Sequence, residues 1–195
     1  ALGTVADCVS LGASRNNRIV VERGLQIINE AQRPCWRAIR EYLGDAKKSL
    51  SAEDLAFGLA PRVNAQGRLD DAMIAVDFFL AEDDETAKAG AEALEQANQE
   101  RRGIEKTLRE QAMFVAEVQV ELGRKALVIA LADGHPGVHG IVASRVVEAY
   151  ARPVVCFSDK HGAPGLLTGS CRGVEGVHIR DALAVVAEVH PEIMH

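Results

Sequence analysis

Two short polar segments of the sequence carry residue types suited to binding phosphate. In the first, Arg62, Asn64 and Arg68 lie within seven residues of one another. Guanidinium groups match phosphate oxygens in a bidentate geometry, and an asparagine amide can hold backbone or sugar groups. The same spacing is equally typical of a loop between two helices whose arginines pair with Asp70 and Asp71. From spacing alone, both interpretations stay open.

The second polar segment is Gly169-Ser170-Cys171-Arg172-Gly173. If it is a strand, Ser170 and Arg172 project from the same face, because side chains two residues apart share a face. The glycines allow a ligand to approach the backbone closely, so a phosphate group can sit between the hydroxyl and the guanidinium. The alternative is a turn at the end of a strand, with an exposed arginine.

A carboxylate interrupts the small and apolar residues at the start of the sequence, at Asp7 in Gly3-Thr4-Val5-Ala6-Asp7. A buried carboxylate is costly unless it is paired or bound to a metal ion, so the position predicts a partner. A single aspartate is more commonly a helix cap or a turn residue. From the residues alone, the cap interpretation is favoured.

Other residues that often carry chemistry show no supporting pattern. The histidines lack a carboxylate at ligand spacing, and the pair His135 and His139 encloses a Pro-Gly dipeptide that breaks the helix such a pair needs. Ser144 and Cys156 have no His or Asp partner at short range, which gives a nucleophilic triad no support. We interpret the histidines as structural or surface residues: His135, His139, His161, His178, His190 and His195.

Cysteine spacing and hydropathy predict a soluble, cytoplasmic protein. The four cysteines lie far apart without a CxxC pair, which favours buried thiols over a zinc site or a disulfide framework. They are Cys8, Cys35, Cys156 and Cys171. No apolar run approaches the roughly 18 residues that span a bilayer, and the first residues lack the basic start of a signal peptide. A membrane partner is therefore not expected.

The net charge of −6 is unevenly distributed. Residues 49–122 hold 16 acidic and seven basic side chains, whereas residues 1–48 carry a net positive charge. A solvated helix is the simplest explanation of the acidic segment. A phosphate site needs only a local cluster of donors, so the overall charge does not exclude one.

The first part of the sequence is predicted to be helical. Apolar spacing and capping signals indicate helices over residues 18–29, 34–44 and 69–80, with a short helix after residue 51. Ser51 and Asp54 form a capping box that opens the short helix, and Gly58 with Pro61 is expected to end it. The segment from Pro61 to Arg68 is too polar for a core element and is predicted to be a loop.

A single long helix is predicted from Asp83 to about Leu122. The segment has no proline, and almost every residue in it is a good helix former. At about 1.5 Å per residue it would be roughly 57 Å long, more than one small domain requires, so we interpret it as a connector between two lobes. A coiled coil is the alternative, but Asn98, Arg101 and Gly103 interrupt its apolar seam.

Beyond Gly123 the pattern alternates between strands and helices. Strands are predicted over 126–131, 153–157 and 166–172, and helices over 140–150 and 179–189. The first two strands should be parallel because a crossover helix joins them. The fold class is therefore α/β: a helical lobe, a long connecting helix, and a small α/β lobe with a mainly parallel sheet.

Taken together, these segments resemble the RecJ family of DHH phosphoesterases over nearly the whole chain. Order and spacing agree as well as the residues. The matching stretches are Ala1 to Asp7, Leu59 to Leu69, Gly134 to Arg145, and Gly169 to Arg172.

The resemblance implies a single-strand-specific DNA exonuclease that works from the 5′ end in DNA repair and recombination, with two Mn²⁺ or Mg²⁺ ions. It implies that residues 1–82 are the C-terminal part of the DHH domain, 83–122 the connecting helix, and 123–195 a truncated DHH-associated domain. Asp7 matches a metal-binding aspartate. Arg62, Asn64 and Arg68 match a substrate-channel loop, and Ser170 and Arg172 match contacts to the 5′ phosphate of single-stranded DNA.

The sequence departs from the family pattern in two ways. Cys171 stands where glycine is usual and Gly173 where serine is usual, which puts the details of the phosphate pocket in doubt. The family's DxD pair, Asp-His-His triplet and Gly-Gly-His segment are absent. Asp7 is then one candidate metal ligand out of a larger set, and we expect a fragment that is inactive alone.

Two other functions compete with this interpretation. One is a DHH-family phosphodiesterase acting on short oligonucleotides or cyclic dinucleotides, against which the long helix and the 61–68 segment favour the DNA enzyme. The other is a non-catalytic module that binds DNA ends, which the missing motifs favour for the chain as it stands.

Overall fold

The computed structural model of the chain describes residues 1–7, 9–43 and 49–193. Three predictions concern residues outside these ranges: a buried thiol at Cys8, a helix end at Gly44, and a structural or surface role for His195. The chain divides into two compact units, Ala1–Arg101 and Arg102–His195. That boundary falls inside one long helix, and the predicted division at residues 82 and 122 stays a prediction.

Helices build the first unit, as the sequence predicts. Residues 18–29, 34–43 and 73–80, all predicted to be helical, lie in three of them. In chain order the elements are α1 (Leu2–Ala6), α2 (Arg15–Glu30), α3 (Pro34–Leu43), a π-helical segment (Asp54–Leu59), α4 (Ala60–Leu69), α5 (Met73–Leu80) and the first part of α6 (Asp84–Glu121).

The predicted loop from Pro61 to Arg68 is a helix, so that prediction is wrong. Pro61 lies in the first turn of α4, where a missing N–H and a fixed φ are tolerated. The turns before it are π-helical, and the N–H of Ala60 donates to the carbonyl of Leu55, five residues earlier. The chain therefore stays helical through Gly58 and Pro61 instead of breaking there.

The core of the first unit is formed by side chains from α3, the π-helical segment, α5 and α6. Its largest fully buried members are Ile39, Leu55, Leu59, Phe78 and Leu94. Burial of each such side chain contributes roughly 1.5–3 kcal/mol to the free energy of folding. This packing holds α4 in place, since Leu59 directly precedes it.

The long helix α6 confirms the prediction for residues 83–122. Asp83 opens it: the backbone N–H of Thr86 donates to Asp83 Oδ1 (2.7 Å) and the Thr86 hydroxyl donates to Oδ2 (2.8 Å). These bonds stabilise the charged carboxylate and lower the pKa of Asp83. The helix runs for 38 residues and contributes to both units.

The second unit contains a three-stranded sheet in the order β1-β2-β3. Its elements are β1 (Leu127–Ala130), α7 (Pro136–Tyr150), β2 (Val154–Asp159), β3 (Leu167–Arg172) and α8 (Ile179–Val189). Strands β1 and β2 are parallel, with Leu127 opposite Val154. This confirms the α/β class and the parallel pairing across the crossover helix.

The sheet is mixed rather than mainly parallel, because β3 runs antiparallel to β2. The connection between them is too short for a crossover and closes as a turn. The N–H of Lys160 donates to the carbonyl of Leu166 (2.8 Å), and Gly162 and Gly165 adopt the positive φ angles of 73° and 82° that the turn requires.

Helix α7 packs on this sheet through Val138, Val142 and Val146, which are fully buried at four-residue spacing. At the β1 edge, the Gln119 side chain of α6 takes the place of a neighbouring strand. Its Nε2 donates to the Val128 carbonyl (2.6 Å), and its Oε1 accepts from the Val128 N–H (3.0 Å). The N–H and the carbonyl of Val128 at this edge therefore both have a hydrogen-bond partner.

No helix among the described residues combines the length and apolar character needed to cross a membrane.

Candidate functional site

A cleft of about 550 Å³ in the first unit brings together Asp7, Asn64 and Arg68. These are three of the residues that the sequence assigns to metal or nucleic acid. The rest of its wall is small or apolar: Val63, Gly67, Ala72, Ala75, Val76 and Phe79. A carboxylate, an amide and a guanidinium therefore face one apolar-walled cleft.

Helix α4 positions Asn64 and Arg68, which are exposed and four residues apart on one face. The other face of α4 points toward α6. There Gln66, buried in the core, donates from Nε2 to the Ala93 carbonyl (3.3 Å). The helix thus separates a cleft-facing polar surface from a surface bonded to its neighbour.

Arg62 lies on the α6 side of α4 and does not line the cleft. Its Nε is 2.5 Å from Glu95 Oε2, and the two side chains are only 18% and 14% exposed. Its Nη1 donates to the Gly58 carbonyl at the π-helical turn (2.5 Å). The guanidinium thus links α4 to α6 through Glu95. The predicted contact of Arg62 with nucleic acid stays a prediction.

Asp7 lies just beyond the C-terminal end of α1 and is exposed. Its backbone N–H donates to the Gly3 carbonyl (3.0 Å), while its carboxylate accepts no hydrogen bond from the described residues. A negative charge at a helix C-terminus opposes the helix dipole, so this carboxylate does not stabilise α1 as an N-cap would. The argument from burial does not apply, because the side chain is in water.

The described residues do not complete a metal site. Within them, no group of three or more His, Cys, Asp or Glu side chains could hold an ion. Asp7 supplies a single hard oxygen ligand of the kind that Mg²⁺ and Mn²⁺ prefer, whereas such ions need several. The residues present therefore fit one contact to an ion and not a whole coordination shell.

In the second unit, Ser170 and Arg172 lie on β3 with the predicted two-residue spacing. The Arg172 side chain is exposed and reaches α7, where its Nε donates to Ser144 Oγ (3.1 Å). Its Nη1 donates to the Cys171 carbonyl (2.8 Å). Ser170 is half-buried opposite Cys156, and its hydroxyl has no hydrogen bond to the described residues.

Two residues of this arrangement were missed at the level of sequence, Gly140 and Ser144. The Ser144 hydroxyl donates to the Gly140 carbonyl (2.9 Å), as serine in a helix often does to the residue four before it. Their four-residue spacing on the helix that crosses between the parallel strands was the available signal. In the sequence, Ser144 stands out only as a possible nucleophile without a His or Asp partner.

His139 is the most buried polar group near this surface, at 1% exposure. Burial lowers its pKa, and the nearby His135 lowers it further, and both effects favour the neutral ring. Neither ring nitrogen has a hydrogen-bond partner within the described residues. This agrees with a structural role for His139, as does the helix-capping role of His135, whose Nδ1 accepts from the Gly137 N–H (3.2 Å).

The described cysteines are free thiols. Cys35 and Cys156 are buried as predicted, and Cys171 is half-buried. Burial raises the pKa of Cys156 to about 11, which keeps it protonated at neutral pH. Cys156, which lies opposite Ser170, is therefore not available as a thiolate.

The chain is similar to one class of protein, the single-stranded-DNA-specific exonucleases. It is 43% identical over 199 residues to RecJ of Dickeya dadantii, covering 100% of this chain and 34% of that protein. The identity to Escherichia coli RecJ is 40% over 199 residues, with the same coverage. No protein-family model matches the chain.

Solved structures agree. RecJ from Thermus thermophilus in complex with Mg²⁺ matches with a TM-score of 0.77 and 31% identity, over 96% of this chain and 28% of that one. The Mn²⁺ complex matches with a TM-score of 0.79 and 32% identity, over 96% and 26%. The chain is therefore a homologue of RecJ, and it spans about a third of the length of the curated relatives it matches.

Proposed function

We propose that this chain is part of a 5′-to-3′ single-strand DNA exonuclease that hydrolyses phosphodiester bonds with two Mn²⁺ or Mg²⁺ ions, in cytoplasmic DNA repair and recombination. Asp7 would provide one metal ligand, and Asn64 and Arg68 would contact the strand. Ser170 and Arg172 would hold its 5′ phosphate.

The observation that carries this proposal is the cleft that Asp7, Asn64 and Arg68 share. Nucleic-acid hydrolysis needs an anionic metal ligand beside groups that hold the phosphate backbone, and the cleft supplies both kinds. Its apolar wall is open to sugar and base surfaces. The similarity to nucleases that act on single-stranded DNA supports the same substrate class.

The test is binding of single-stranded oligothymidylate to Arg68→Ala, with Arg23→Ala as the matched control. Arg23 is an exposed arginine on α2, outside the cleft-lining set. We expect Arg68→Ala to weaken binding by about tenfold and to reduce the slope of log affinity against log salt by about one, as loss of one phosphate contact does. Equal effects of the two substitutions in fluorescence anisotropy would contradict the proposal.

A non-catalytic module that binds DNA ends is the second candidate for the chain by itself, because the described residues offer only the single carboxylate of Asp7 at the cleft. We expect the purified chain to release no mononucleotides with Mn²⁺ or Mg²⁺. Release that depends on the ion and is lost in Asp7→Asn would exclude this second candidate.

A further inference from the structure

The guanidinium of Arg172 is held by neutral groups only. Its two hydrogen bonds within the described residues go to the Ser144 hydroxyl and the Cys171 carbonyl. A guanidinium has five N–H groups, so three are left for a ligand. Arg145, on the same helix as Ser144, is instead paired with Glu148 (2.9 Å).

Ser144 can serve only as an acceptor toward Arg172. Its single hydroxyl proton is already donated to the Gly140 carbonyl (2.9 Å), so a lone pair faces the Arg172 Nε–H. The Gly140 carbonyl, the Ser144 hydroxyl and the guanidinium thus form one directed chain of hydrogen bonds. That chain fixes the edge of the guanidinium that carries Nε.

Gly140 also fixes where the plane of the guanidinium lies. A Cβ atom at this position would be 2.6 Å from Arg172 Nη2 and 3.3 Å from Cζ. These atoms are the far end of a flexible side chain, so a larger residue would displace the guanidinium and leave the helix intact. Glycine at position 140 is therefore needed to place the Arg172 side chain and not to form the fold.

We propose that Gly140 and Ser144 are positioning residues that set Arg172 to receive a terminal phosphate monoester. This inference rests on the proposed function in one respect, the contact between Arg172 and the 5′ phosphate. Gly140 admits the guanidinium to the surface of α7, and Ser144 sets its rotation. The three remaining N–H groups of Nη1 and Nη2 are then presented together with the Ser170 hydroxyl from the same strand face.

The experiment compares the affinities of the chain for oligothymidylate with a 5′ phosphate and with a 5′ hydroxyl. The variants are Gly140→Ala, Ser144→Ala, Ser144→Thr and Arg172→Ala. Gly103→Ala is the matched control, since Gly103 is a helical glycine with no atom within 4 Å of its added Cβ. The melting temperature of each variant is also measured.

We expect Gly140→Ala to reduce the preference for the 5′ phosphate by about tenfold with no loss of melting temperature, because alanine is the better helix former. Ser144→Ala should reduce the preference severalfold. Ser144→Thr should retain it, because threonine keeps the hydroxyl and its bond to the carbonyl four residues before. Gly103→Ala should leave the preference unchanged.

The outcomes distinguish the 5′ phosphate contact of Arg172 from the positioning role of Gly140 and Ser144. If Arg172→Ala leaves the phosphate preference intact, the assignment of the 5′ phosphate to Arg172 fails. If Arg172→Ala removes the preference but Gly140→Ala and Ser144→Ala keep it, the positioning role alone is overturned. Loss of preference in Ser144→Thr equal to that in Ser144→Ala would also overturn it.

Discussion

Arg62 in the helical unit and Arg172 in the α/β unit are both candidates for binding phosphate, and their surroundings differ. Arg62 faces the carboxylate of Glu95 in a mostly buried pair. Arg172 is exposed and bonds to a hydroxyl and a carbonyl. The carboxylate neutralises the first guanidinium, whereas the neutral partners orient the second and leave its charge for a ligand.

This difference predicts that the partner of an arginine decides between support and binding more directly than its place in a motif. A buried ion pair strongly resists removal of one member, because the other is left charged and unpaired. An oriented but uncompensated guanidinium adds little to stability and much to the capture of an anion. The following substitutions test each side of this comparison.

The largest effect is expected at the cleft carboxylate. Asp7→Asn should abolish site-specific broadening of the NMR signals of α1 and α4 by Mn²⁺, because the amide lacks the charge that attracts the ion. The melting temperature should change little, because the Asp7 side chain is exposed and bonds to none of the described residues. Retained broadening, or a collapse of stability without loss of ion binding, would mean that Asp7 is a structural turn residue and not a metal ligand.

Glu95→Ala should destabilise the chain by about 3–5 kcal/mol, because it leaves Arg62 charged and mostly buried. Urea denaturation followed by circular dichroism measures this loss. The control is the double variant Arg62→Met with Glu95→Leu, which removes both charges and should be clearly more stable than Glu95→Ala. If the single and double variants were equally unstable, the ion pair would not be what holds α4.

Arg172→Ala should weaken binding of 5′-phosphorylated strands by about 1.5–3 kcal/mol, roughly 10- to 100-fold, and leave 5′-hydroxyl strands little changed. Its stability should stay close to that of the unsubstituted chain, since the side chain is exposed. Arg62→Ala should show the reverse, with lower stability and an unchanged phosphate preference. Equal losses on both strand types would mean that Arg172 contacts an internal phosphate.

The smallest effect is expected from pH. Because burial holds the pKa of His139 below its usual 6.5, the unfolded chain takes up a proton first as the pH falls. Stability should therefore decrease as the pH falls below 6.5 and level off below the folded pKa. His139→Leu should flatten this part of the profile of unfolding free energy against pH, and an unchanged slope would contradict the assignment.

The sequence predicted the helices and strands well where the local signal is strong, as in α6, which lacks proline and is rich in helix formers, and in the apolar run of β2. It failed at α4, because that helix buries the small Ala65 and the polar Gln66 and carries Pro61 in its first turn. Its Arg62 and Gln66 side chains instead bond to α6. Such tertiary support leaves no periodic signal in the sequence.

For the candidate site, the sequence predicted the residues better than the secondary structure that positions them. Asn64, Arg68 and Asp7 do share one cleft, but a helix and not a loop aligns the first two. The spacing of Gly140 and Ser144 indicates a shared helix face, but the contact of Ser144 with Arg172 depends on a strand 28 residues away and leaves no local signal. Strand β3 was predicted, but its antiparallel direction was not, although Gly162 and Gly165 in the connection before it are typical turn residues.

The amide of Gln119 has a consequence for how the sheet can be extended. An incoming strand at β1 would have to displace both of its bonds to Val128 before pairing there. Strand β3 pairs on one side only within the described residues. Growth of the sheet, whether by another segment or by unwanted self-association, is thus hindered at Val128, and within the described residues the other border is the strand that carries Ser170 and Arg172.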